Sequence, residues 1–195
     1  MKNIFIDCEM TGLHENGELI SIGALYVDNN GIERTFYAEF NDFNQSNCNE
    51  WVLQNVIRKL KFNGTHFKNR VSTLPGTMEP KSIEMKADRE TIRLKLTEWI
   101  LNIGERSILV ADVGHYDISM VYNIFGGAFE LPKNLSPAYM DLNNLIAIAK
   151  SLNVDQAFDI SREKLAGEVN CDDKHNALYD ARVARAIYFD IMKSN

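Results

Sequence analysis

Residues 4–13 read IFIDCEMTGL. Ile4, Phe5 and Ile6 form a short apolar run, the pattern of a buried strand. Two acids follow, Asp7 and Glu9, with only Cys8 between them. Alternation along a strand sends both acids to one face and Cys8 to the other. Acids are seldom fully buried unless paired or bound to a metal. For an isolated D-x-E the ordinary reading is two solvated acids at a strand end. The functional reading is a pair of oxygen ligands for a hard cation such as Mg²⁺ or Mn²⁺. The rest of the chain has to decide between them.

Outward from this strand, residues 18–28 (ELISIGALYVD) read as a second strand. The Asn29-Asn30-Gly31 turn follows, and residues 33–40 (ERTFYAEF) read as a third. Short links predict an antiparallel meander. Residues 49–60 carry Trp51, Val52, Val56 and Leu60 near helical spacing. Residues 61–86, with Gly64, Pro75, Gly76 and Pro80, read as a long irregular loop. Residues 88–104 carry Ile92, Leu96, Trp99, Ile100 and Ile103 on one face, with Asp88 as N-cap and Gly104 as C-cap. SILVAD (107–112) reads as a buried strand of parallel type. ISMVYNIF (118–125) is predicted helical up to Gly126-Gly127, AYMDL is a short strand or turn, and 142–152 form a helix. The closing helix carries Leu178, Ala181, Ala184, Ile187 and Ile191 on one face. Strands first, then alternating helices, make an α/β layer fold with a mixed sheet.

The 195 residues suffice for one domain with a sizeable core, and 1–195 are read as such. No apolar run is long enough to span a bilayer, and MKNIFID enters a strand rather than a signal peptide. Cys8, Cys48 and Cys171 are too scattered for a disulfide framework or a C-x-x-C metal site. These features point to the cytoplasm. The net charge of −6 argues against a protein that coats duplex nucleic acid, but not against an enzyme that holds a few nucleotides.

Further acids lie in the second half. Asp117, in LVADVGHYDISM, begins a helix after a buried strand, where sites of open α/β sheets gather. Alone it reads as an acid favoured by the helix dipole. Asp112, which ends the strand directly, competes with it. In HNALYD, His175 and Asp180 are five positions apart, so on one continuous helix they would face different ways. His175 is better used from the leading end of that helix or the loop before it. The core-facing neighbours of Asp180 count against a merely solvated acid.

Each piece is weak alone, but their order is specific. A D-x-E on strand one, an acid after a later buried strand and an H-x-x-x-x-D on the last helix resemble the DEDDh class of 3′-to-5′ exonucleases, which has an RNase H-like fold. Asp7, Glu9, Asp117, His175 and Asp180 match that pattern across nearly the whole chain. DCEMTGL is similar to the first motif of oligoribonuclease. ELISIGAL, EWVLQNVIRKL and VGHYD look more like the RNase AS-type exoribonucleases, which prefer adenylate-containing RNA. The proofreading subunit of DNA polymerase III shares an HxALxD-like end. The chain departs from the RNase AS pattern at Asp112, where an aromatic is expected, and in the enlarged 61–86 loop.

The resemblance implies an RNase H-like mixed sheet flanked by helices and a metal-dependent exoribonuclease that releases nucleoside 5′-monophosphates from single-stranded RNA. Two Mg²⁺ or Mn²⁺ ions, ~3.5–4 Å apart, are expected on the four carboxylates. Asp7 would bridge them, Glu9 and Asp180 would help hold the first, and Asp117 the second. His175 would be the general base. Met10, Thr11, Gly12 and Leu13 are expected to contact substrate: Met10 and Leu13 the terminal base, with ordinary core packing an equal alternative for these two, Thr11 the sugar, Gly12 by close backbone approach. A homodimer follows from the resemblance only. Residues 58–70 (RKLKFNGTHFKNR) hold five Lys/Arg and no acid, and with Phe62 and Phe67 read equally as a binding face for single strands or a solvated basic face. A DNA-directed exonuclease and an inactive nucleic-acid-binding module stay open as alternatives.

Overall fold

The computed structural model describes residues 1–14, 16–62, 69–167 and 173–194. Seven strands form one sheet in the order β4-β5-β3-β2-β1-β6-β7. Strand β1 (Lys2–Met10) pairs antiparallel with β2 (Leu19–Val27), and β2 with β3 (Glu33–Phe40), as the meander requires. Strand β6 (Ser107–Ala111) lies parallel to β1, and β7 (Leu135–Asp141) parallel to β6. This is a mixed sheet of the RNase H-like kind.

The expected irregular loop at 61–86 is partly sheet. Within it, β4 (Arg70–Thr73) and β5 (Pro80–Ala87) form a hairpin, and β5 joins β3 in parallel. The turn is Leu74-Pro75-Gly76-Thr77: the Thr77 N–H donates to the Leu74 carbonyl at 3.1 Å and Gly76 has φ +75°. Proline followed by a residue of positive φ is the chemistry of a type II turn. Pro80 costs no ladder bond because it opens its strand.

Helices cover both faces. Helices α2 (Arg89–Leu101) and α3 (Gly114–Phe125) pack one face through Ile92, Leu96, Trp99, Ile118 and Val121, against Ile4, Ile6, Ala24 and Phe36. The other face takes α4 (Leu142–Ala149), α5 (Val154–Phe158), α6 (Arg162–Ala166) and α7 (Ala177–Ser194), against Phe5, Leu25, Tyr37 and Val110. All five apolar residues expected on the closing helix are buried. Helices α5 and α6, between 153 and 167, had no expectation attached. Their signals are present: Asn153 and Gln156 form a capping box and Ser161 caps α6.

Several boundaries differ. Asp88 caps α2 through the Thr91 N–H as expected, but the C-cap is Asn102, with Gly104 two residues beyond. Helix α3 starts four residues before 118. Helix α1 (Glu50–Asn55) stops early and a 3-10 turn (Ile57–Lys59) completes the segment. Trp51 is 54% exposed, while Val52, Val56 and Leu60 are buried. No helix among the described residues is long and apolar enough to cross a membrane.

Candidate active site

The carboxyl ends of parallel β1 and β6 adjoin, which is where open α/β sheets place their ligands. Asp7 and Glu9 project from β1, opposite Gly23 and Ser21 of β2. Gly23 decides what sits over them. A Cβ there would run into the backbone of Ala177 and Leu178, at the start of α7. Its absence lets α7 settle onto β2 beside Asp7 and delivers Asp180 from the first turn of that helix. Asp117 comes from the other helical layer, in the first turn of α3. Its Oδ1 accepts from the Cys8 N–H at 2.9 Å, which pins it to β1. His175 precedes α7 with φ +66°, and its N–H donates to Asp180 Oδ2 at 2.8 Å.

Asp7, Glu9, Asp117, His175 and Asp180 therefore line one cleft of about 340 Å³. Donor atoms of Glu9, His175 and Asp180 all lie within 4.8 Å of one another. The electrostatics show what the cleft is suited to hold. Burial, then Asp117, Asp180 and Glu9, push the Asp7 carboxyl well above the usual range. Burial and Asp180 do the same to Glu9. Burial lifts Asp117 and Asp180 to about 7, the hydrogen bonds from the Cys8 and His175 N–H groups notwithstanding. Among the described residues, none of the four has an ion-pair partner. Four crowded acids offering hard oxygen donors fit a hard divalent cation. Burial, then Lys174 and Lys59, lower the pKa of His175, which keeps its imidazole neutral at pH 7.

The structure also separates the competing acids. Asp112 lines the cleft but belongs to Arg162, whose Nε lies 2.8 Å from both of its oxygens. Arg162 further donates to the carbonyls of Ala157 and Ile160 and to Asn143 Oδ1, tying α5 and α6 to the end of β6.

Of the expected substrate contacts, Met10 and Leu13 line the cleft, Leu13 from an exposed position. Thr11 and Gly12 are not among the lining residues. Thr11 is 2% exposed, and its Oγ1 accepts from the Glu18 N–H, which closes the loop. At Gly12 a Cβ would first meet the His14 ring, a movable neighbour. The basic stretch is also changed. Phe62 is buried against Tyr37, and Lys61 pairs with Glu84 at 2.7 Å. Phe67 and Lys68 lie outside the described residues. Sequence reasoning missed Arg162, Glu163 and Lys174, all of which line the cleft. Only Lys174 carried a signal, as the neighbour of His175.

Residues 2–192 match the model of the Rv2179c-like 3′-5′ exoribonuclease domain. The chain belongs to this family. It is thus a 3′-5′ exonuclease acting on nucleic acid. Comparison with the curated proteins finds no match. Among solved structures, the chain is similar to the nuclease domain of 3′hExo, a DEDDh family member, bound to rAMP. The TM-score is 0.66 at 12% identity, covering 100% of this chain and 92% of that one. A full-length 3′-exonuclease aligns with a TM-score of 0.63 at 12% identity, over 99% of this chain and 82% of that one. At such identity the likeness carries the fold, and the Rv2179c-like assignment rests on the family model.

Proposed function

We propose that this Rv2179c-like domain, taken as one exonuclease unit over 1–195, is a metal-dependent exoribonuclease. It removes nucleoside 5′-monophosphates from the 3′ end of single-stranded RNA, with a preference for 3′ adenylates. The observation that carries this reading is the convergence of Asp7, Glu9, Asp117 and Asp180 beside His175 in one cleft. The carboxylates of Asp7, Glu9, Asp117 and Asp180 would hold the divalent cations. Bound there, such ions polarise a phosphoryl oxygen and lower the pKa of water.

The protein's own groups do the rest. Neutral His175 accepts the proton of the attacking water. The N–H of Cys8 fixes one oxygen of Asp117, and that of His175 fixes one of Asp180, so each acid presents its other oxygen to the cleft. Met10 and Leu13 offer an apolar surface to the terminal base. The ribose preference and the adenylate preference rest on family likeness. So does a homodimer, while a cytoplasmic location rests on the scattered thiols alone.

A time course on 5′-labelled single-stranded RNA ending in oligo(A) tests the reading. The arms are Mg²⁺, Mn²⁺ and chelator, matched DNA, and other 3′ bases. The expected result is metal-dependent shortening from the 3′ end, faster on RNA and fastest on oligo(A). No cleavage with either metal would sink it, and DNA cut as fast as RNA would remove the RNA preference.

A further inference from the structure

His175 occupies a left-handed backbone conformation, with φ +66°. Such a conformation is uncommon outside glycine, although histidine tolerates it better than most residues, so the contacts that hold it here matter. Two contacts are already clear: the His175 N–H on Asp180, and the ring of Trp51, edge-on with centroids 4.9 Å apart. The third is one residue away. Lys174 Nζ lies 2.8 Å from Glu163 Oε1 on α6. The environments of the two differ sharply. Lys174 is half-exposed, but Glu163 is 5% exposed and its other oxygen accepts from Ser161 Oγ at 2.8 Å. Glu163 is thus a fixed anchor rather than a mobile surface acid. Its burial favours the neutral form, yet the hydrogen bonds from Lys174, its own backbone N–H and Ser161 win and bring its pKa down to about 2. An acid at the rim of a cleft meant for a polyanion repels substrate, unless its charge is spent on a neighbour. Here it is spent on the residue before His175.

We infer that the Glu163–Lys174 ion pair is a latch that clamps the segment before α7 to α6 and so holds the His175 ring at the cleft. Glu163 and Lys174 are positioning residues, acting through His175 and touching no reacting atom. The catalytic part of this inference rests on the exonuclease reading with His175 as base. The structural part does not.

Three variants test it: Glu163→Gln, Lys174→Met, and Glu163→Gln in a His175→Ala background, with the unfolding midpoint recorded for each. Lys174 is at the surface, so its variant folds even if a change at buried Glu163 harms the core. Amide hydrogen exchange of the His175 N–H, followed without metal or substrate, is expected to speed up about 10-fold or more in both single variants as the segment opens. On RNA, kcat is expected to fall about 10- to 100-fold, since small misplacement of a base is costly, with KM within about twofold. Combined with His175→Ala, Glu163→Gln adds no further loss. Unchanged exchange in Lys174→Met, or the same kcat loss from Glu163→Gln with His175 absent, would overturn the latch. A protein without exonuclease activity would defeat the functional reading, and the exchange comparison would still decide the latch.

Discussion

The backbone N–H of His175 lies 2.8 Å from Oδ2 of Asp180, so the candidate base and a candidate metal ligand hold each other. Five residues of separation become one hydrogen bond because the left-handed His175 turns the chain back over the first turn of α7. Asp180→Ala removes both a ligand and the acceptor. It should cost more than about 100-fold in kcat, exceeding the usual loss from an outer-shell partner, and should speed His175 amide exchange. Asp180→Asn keeps an acceptor and should lose activity with much less change in exchange. Equal exchange in the two variants would show that the acceptor is irrelevant.

Asp117 sets the stability of the metal-free protein. Its folded pKa of about 7 lies above the unfolded value of ~3.9. A raised acid favours the folded state only while protonated. The cost of ionising it therefore appears as pH rises through ~3.9 and is complete above 7. Asp117→Asn keeps the oxygen that accepts from Cys8 and removes the charge. Thermal melts at pH 8 with chelator should show a midpoint several degrees higher for the variant, equivalent to about 1–2 kcal/mol, and a smaller gain at pH 4. A lower midpoint at pH 8 would contradict the assignment.

Asp112 is the control for that experiment. It lines the same cleft but is committed to Arg162. Asp112→Asn should retain 3′-end shortening of RNA and lose about 1–3 kcal/mol in urea unfolding, the scale of a charged hydrogen bond. Abolished shortening with unchanged stability would exchange the roles of Asp112 and Asp117.

Gly23 is where the fold makes the site. A methyl group there meets backbone, which cannot rotate away. Gly23→Ala should cost about 1–3 kcal/mol, as overpacking does. Activity should drop in the folded variant because the start of α7 moves away from β1. Unaltered kcat and stability together would show that α7 does not rest on this position.

Divalent cations should compensate the crowded acids. Millimolar Mg²⁺ or Mn²⁺ should raise the melting temperature in a concentration-dependent manner. Binding at pH 7 should release protons, because Asp117 and Asp180 titrate near that pH. Calorimetry in two buffers of different ionisation enthalpy measures the number released. A zero count would mean that the acids are already ionised without metal.

Much was written locally in the sequence. Periodicity gave the three-stranded meander, the parallel strand at 107–111, helix α2 with its Asp88 cap, and the buried face of α7. Order along the chain named the five candidate site residues, which the fold gathers in one cleft. What local pattern missed were elements built from weak or short signals. In the β4–β5 hairpin the first strand is exposed and carries no apolar alternation; Ile83, Met85 and Ala87 do alternate along β5, but the prolines and glycine before them made the segment read as a loop, although Leu-Pro-Gly-Thr encoded its turn. Helices α5 and α6 are five residues each, too short for a helical period to emerge, and only their caps reveal them.

The sequence by itself determined which carboxylates the chain carries and in what order, and the resemblance of that order to the DEDDh exonucleases implied the chemistry; alternation alone put Asp7 and Glu9 on one face. Tertiary structure alone decided how those groups are used. Residue by residue Asp112 competes with Asp117 and only the resemblance prefers Asp117; the structure gives the physical difference, Arg162 from α6 on Asp112 and the Cys8 N–H from β1 on Asp117. Thr11 looks exposed in sequence, but it is buried and accepts from the Glu18 N–H. Trp51 has the spacing of a core residue, but it stands against His175. Contacts between residues distant in sequence depend on which layers meet, and local periodicity holds no record of that.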